Sequence, residues 1–131
     1  TPAYSTDRGV LTCPVSTDKS FKISLHADES RGFMAYLNVN GPSPILVTCR
    51  FPVLDRSLYA DAPYWDLSDD GHVQQVYVDD GRFGGFGELE YHTPALEPGE
   101  REEIQDRGEV HAFSGPEAEL RKLTETMVDA V

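Results

Sequence analysis

Basic residues are scarce in this chain, and long apolar runs are missing. Eleven Lys and Arg stand against 23 Asp and Glu in 131 residues, a net charge of −12. Binding to nucleic acid or to an anionic membrane surface depends on clustered Lys and Arg, so the composition argues against both partners. No apolar run approaches the roughly 18–20 residues that span a bilayer, and no segment has the layout of a signal peptide. The chain opens at Thr1 and not at a methionine, so a longer precursor, a processed chain or an excised piece is expected. The sequence leaves the compartment open.

Cysteine is limited to Cys13 and Cys49, too few for a disulfide framework. Each lies in an apolar, strand-like run, where a thiol serves as a small buried hydrophobe. Pairing them requires adjacent strands, and the pattern leaves both outcomes open. Signatures of cofactor and nucleophile chemistry are also lacking. There is no glycine loop to cradle phosphate, no Gly-x-Ser-x-Gly elbow and no Cys or His cluster with zinc spacing. No cofactor and no metal are therefore expected. His26, His72 and His111 stand alone and read as structural or exposed side chains. Asp69-Asp70 and Asp79-Asp80 lack the ordered spacing of a calcium loop, so turn chemistry explains them.

What is present is a soluble, globular pattern with 39% apolar and 26% charged residues, long enough for one domain over 1–131 with its own core. Short strands are punctuated by turns. Arg8–Cys13 reads as a weak strand ended by Pro14. Lys19–His26 alternates, with Phe21, Ile23 and Leu25 on one face. Phe33–Val39 places Phe33, Ala35, Leu37 and Val39 inward. Asn40-Gly41-Pro42-Ser43-Pro44 carries hairpin chemistry, and Ile45–Val53 follows as the longest strand, with Ile45, Val47, Cys49, Phe51 and Val53 on one face. Leu54–Gly71 has no sustained period, Val73–Asp79 resumes as a strand, and Arg101–Phe113 supplies another. Ser114 stands three residues before Glu117 with Pro116 between, a helix start. Leu120, Leu123, Met127 and Val131 then recur at helical spacing through 116–131. The pattern predicts an all-β, antiparallel β-sandwich with one C-terminal α-helix.

The strand Phe86–Ala95 carries the candidate chemistry. Alternate side chains of a strand share a face, so Phe86, Glu88, Glu90 and His92 line up opposite Leu89 and Tyr91. Two carboxylates about 7 Å apart along a strand resist joint ionisation, and one pKa rises. Such a pair can divide the roles of proton acceptor and ligand holder, or be a solvated face of two ordinary glutamates. His92 offers a group that titrates near neutral pH, or is a surface histidine at a strand end. In the long acidic loop, Trp65, with Tyr64 and Tyr59, offers flat rings that stack on sugars, or that anchor the loop to the core.

Over Asp70–Val131 the chain resembles the galactose-mutarotase-like superfamily. Proteins of that superfamily are large antiparallel β-sandwiches with a late strand of the type Leu-Glu-x-x-x-x-Pro, a Leu-x-Pro-Gly-Glu turn and a strand ending in an aromatic residue. Here these read Leu89-Glu90, Pro94, Leu96-Glu97-Pro98-Gly99-Glu100 and Val110-His111-Ala112-Phe113. The chain resembles most an uncharacterised bacterial branch, through Asp70-Gly71, Tyr77-Val78-Asp79-Asp80-Gly81, Phe86-Gly87-Glu88-Leu89-Glu90, Pro94-Ala95 and Phe113-Ser114-Gly115 in order. The resemblance implies a carbohydrate ligand and ring opening and closure of an aldose. Glu90 would be the general base, assisted by Glu88, with His92, Trp65 and Tyr64 binding substrate. It also implies that the chain matches only the C-terminal half of such a sandwich. The acid histidine, and cover for an open apolar face, would then come from a missing N-terminal half, a second chain or a homo-oligomer.

Overall fold

The computed structural model describes residues 4–15, 18–54, 58–62, 66, 68–96, 99 and 103–131. Among them the regular elements are β-strands, paired antiparallel throughout, and one C-terminal helix. A short hairpin, β1 (Ser5–Asp7) and β2 (Val10–Thr12), precedes two three-stranded sheets. One sheet has the order β3 (Phe21–Leu25), β6 (Gln74–Val78), β7 (Gly87–Tyr91). The other has the order β4 (Phe33–Asn38), β5 (Ile45–Arg50), β8 (Glu109–Ser114). Helix α1 spans Glu117–Asp129. The chain thus builds both sheets in turn, crossing from one to the other three times.

Both sheets feed one core. Met34 and Cys49 from β4 and β5 are buried with Phe51, Tyr59 and Val73, and Leu89 and Tyr91 of β7 pack against them. The rings of Phe51 and Tyr91 stack with centroids 4.9 Å apart. In the β3–β6–β7 sheet the rows Phe21–Val78–Gly87, Ile23–Val76–Leu89 and Leu25–Gln74–Tyr91 share this inner face. Toward the β8 side the filling is incomplete. A cleft of about 510 Å³ remains there, lined by Tyr36, Val47, Cys49, Val76, Leu89 and Val110 among others.

Several sequence expectations need correction. Arg8 is not in a strand: it forms the β1–β2 turn with Gly9, both at positive φ. The strand expected over Ile45–Val53 stops at Arg50, because Pro52 has no N–H for a ladder and Phe51 N–H turns to the Gly32 carbonyl at 2.9 Å. Within it, Ile45 is exposed while Leu46 and Thr48 on the other face are buried. As the central strand of its sheet, β5 is covered on both faces, and α1 packs against β4 and β5 with Leu120 buried. Of the strand expected over Arg101–Phe113, residues 101 and 102 lie outside the described residues, 103–108 are irregular, and β8 begins at Glu109, which pairs with Arg50, the last residue β5 offers. Residues 103–108 have no strand beside them, and Gly108 lies where Tyr91 leaves no room for a side chain. Ser114 ends β8 opposite Ile45 and does not cap the helix; Pro116 occupies that position without a side-chain cap bond. Glu117 and Glu119 in the first turn complement the helix dipole instead.

Cys13 and Cys49 are both free thiols, and burial pushes each above the ordinary thiol range. Among the described residues no helix is long and apolar enough to cross a membrane.

Candidate functional site

The outer face of the β3–β6–β7 sheet is polar because its register places Lys22, Ser24, Gln75, Glu88 and Glu90 together. Lys22, Tyr77 and Glu88 form one row, and Ser24, Gln75 and Glu90 the next. A slip of one residue in any pairing would invert this. The loop carrying Asp61 lies over part of the face. Asp61 takes the Lys22 ammonium at 3.5 Å and a hydrogen bond donated by the Gln75 side-chain amide. Gln75 is fully buried beneath it. The loop is held by Tyr59, which is buried, bridges to Pro94, and donates its hydroxyl to the Leu54 carbonyl at 3.1 Å.

Glu88, Glu90 and His92 come together at the β7 edge of this face. Glu88 is held above the ordinary carboxylic range, first by a hydrogen bond with the Glu90 carboxyl, then by partial burial and by the Glu90 charge. The neighbouring Glu90 carboxyl thus makes Glu88 harder to ionise than a free side chain of its kind. His92 follows β7, with Nε2 3.7 Å from a Glu90 oxygen. Its Nδ1 lies 2.8 Å from the His72 carbonyl. A carbonyl accepts only, so Nδ1 carries a hydrogen, and Nε2 is the ring nitrogen on the Glu90 side. Beside these groups is an open depression of about 570 Å³ lined by Ala60, Asp61, Tyr91, His92 and Thr93. Glu88 is exposed, Glu90 and His92 half-buried, so all three can be reached from water.

The sequence also names Trp65 and Tyr64 as substrate-binding residues, and these lie outside the described residues. Tyr59, grouped with them as a stacking ring, belongs to the core and anchors the loop.

Three residues escaped the sequence reading. His26 and His72, read as solitary, have ring centroids 4.5 Å apart, and Asp69 reaches His26 at 3.7 Å. No local spacing announces this group. It is made by the β3–β6 pairing, which sets Leu25 opposite Gln74 and so brings the residue after one strand beside those before the other. His72 in turn places its Nδ1 2.8 Å from the Asp61 carbonyl.

A different polar centre shapes the β6–β7 loop. Asp79 is buried, and its Oδ2 accepts backbone N–H bonds from Gly81, Phe83 and Gly85 at 2.9–3.1 Å. Burial alone would push this carboxyl up. Backbone N–H groups of Phe83, Gly85, Gly81 and Asp80 outweigh it and hold the carboxyl below its ordinary range. The loop is organised around this side chain, with Phe83 displayed at its exposed tip.

Comparison with protein-family models, with curated proteins and with solved structures finds no match to this chain.

Proposed function

We propose that this chain is a carbohydrate-active or carbohydrate-binding protein of the galactose-mutarotase-like kind, opening and closing the ring of an aldose at the Glu88–Glu90–His92 face. The observation that carries the reading is the alignment of Glu88 and Glu90 on one face of β7, with His92 Nε2 3.7 Å from a Glu90 oxygen. Mutarotation needs one group to take the proton of the anomeric hydroxyl and another to give one to the ring oxygen. Glu90 serves as the base, assisted by Glu88, and the proton for the ring oxygen comes from a histidine outside this chain. The bond between the anomeric carbon and the ring oxygen breaks, the anomeric oxygen becomes the aldehyde carbonyl, and reclosure on the opposite face gives the other anomer. His92 accepts a sugar hydroxyl through Nε2, and Tyr64 and Trp65 supply stacking surfaces. Anomer interconversion of glucose and galactose followed by NMR tests this. Glu90→Gln should slow it by about 10²-fold or more; equal rates in wild type and variant would remove the catalytic claim.

A second reading is a non-catalytic sugar-binding or structural subunit that completes a β-sandwich with another chain. The open apolar cleft and the exposed edge strand β8, with Val110 67% accessible, favour it. Sedimentation of the purified chain decides: a stable monomer argues against the subunit role.

A further inference from the structure

Two imidazoles and a carboxylate stand together where β3 ends and β6 begins, at a place the sugar reading leaves unused. One donor atom each from His26, Asp69 and His72 lies within 4.8 Å of the other two, and all three residues are half-buried. The rings lie side by side with a tilt of 34°. Each ring has its Nδ1 on a backbone carbonyl, and the His26 Nδ1 is also the nitrogen 3.7 Å from Asp69 Oδ1. His26 Nδ1 donates to the Gly71 carbonyl at 3.0 Å, and His72 Nδ1 to the Asp61 carbonyl at 2.8 Å. In the neutral form each ring therefore carries its lone pair on Nε2. A histidine that binds metal is held in this way, with its other ring N–H on a carbonyl or carboxylate that fixes the tautomer and the ring plane. The carboxylate is braced as well: Asp69 Oδ1 accepts the Gly71 N–H at 2.7 Å, which leaves Oδ2 open.

We infer that His26, Asp69 and His72 form a binding site for one divalent transition-metal ion of the zinc class. Two nitrogen donors and one oxygen suit zinc and its neighbours, whereas calcium and magnesium call for six or more oxygens. Metal–ligand bonds of about 2.0–2.2 Å require donors roughly 3–3.5 Å apart. The cluster therefore closes by an ångström or so on binding, which rotation of the partly exposed His26 side chain can supply. Three protein ligands leave a fourth position for water or for an oxygen of a bound molecule, the open arrangement of an exchangeable or catalytic site. The chain's net charge of −12 raises the local concentration of cations. Bound metal would also join the segment before β6 to the end of β3.

Calorimetric titration of the chelator-stripped chain with Zn²⁺ alone tests this. One ion should bind per chain, and Asp69→Asn and His72→Ala should each weaken binding tenfold or more. His111→Ala, an exposed position on β8, should leave it unchanged. Because a variant may lose its fold, the wild-type chain gives a second readout. Zn²⁺ should move the ¹⁵N resonances of the His26 and His72 Nε2 atoms and not those of His111. Absence of saturable one-to-one binding, full retention of affinity in both variants, or shifts confined to other histidines would overturn the assignment.

Discussion

Replacing Gly71 by alanine tests how the loop over the polar face is seated. Gly71 has φ +80° and is buried. A Cβ built there falls 2.8 Å from the Tyr59 carbonyl carbon and 2.9 Å from its Cβ, and closer still to the Tyr59 carbonyl oxygen. These are backbone or backbone-proximal atoms that cannot swing aside. Left-handed backbone costs an L-residue about 1–2 kcal/mol, and forcing volume into a packed site adds about 1–3 kcal/mol. The total is roughly 2–5 kcal/mol. Unfolding entropy scales as about 2.1 cal/mol/K per residue, so for this chain each kcal/mol lowers Tm by roughly 3–4 °C. Gly71→Ala should therefore lower Tm by roughly 7–18 °C in thermal unfolding followed by circular dichroism. Gly81 supplies the control, with φ +92° and nothing within 4 Å of a built Cβ. Gly81→Ala carries only the conformational cost, a drop of roughly 3–7 °C. Loss of glycine's freedom in the unfolded chain affects both variants alike and cancels. If Gly71→Ala falls no further than Gly81→Ala, the close approach of Gly71 to Tyr59 is not a feature of the folded chain.

Two further expectations follow from titrating groups. The Asp79 carboxyl is depressed in the folded state, so its contribution is complete above the ordinary value of 3.8 and is lost as pH falls through the lower folded value. Asp79→Asn should be less stable than wild type at pH 7 in urea titrations, and the gap should narrow below about pH 4; a constant gap would contradict this. Glu88 is raised above 4.5, so any stability it contributes exists in acid and is lost as pH rises through its folded value. Carboxyl-detected NMR should show Glu88 titrating late in wild type and nearer the ordinary range in Glu90→Gln, and an unmoved Glu88 would break the link between the two.

The sequence carried the strand content well where one face alone is buried. On β3 and β7 the alternation of Phe21, Ile23 and Leu25 and of Leu89 and Tyr91 matches the inner face that the register makes. It served less well on β5, where Leu46 and Thr48 are as buried as Cys49; cover by a helix on one side and a sheet on the other erases the period. Strand ends were overextended wherever the partner strand stopped first, as at Glu109 opposite Arg50. Pairing length is a property of two segments, and neither alone contains it. The Glu88, Glu90 and His92 grouping was legible because i and i+2 suffice to bring it about. Residues His26, Asp69 and His72 were not, since only the non-local β3–β6 ladder joins them.

The position of β5 between β4 and β8 has a consequence for the order of assembly. Its pairing with β4 is a local hairpin, available as soon as both are synthesised. The other edge of β5 waits for β8, with all of β6 and β7 intervening in the chain, and the helix that packs on β4 and β5 is later still. Until β8 and α1 arrive, an apolar central strand presents an unpaired edge, a state prone to joining the same edge of another molecule. A version of the chain lacking β8 and α1 should therefore gather into aggregates through β5.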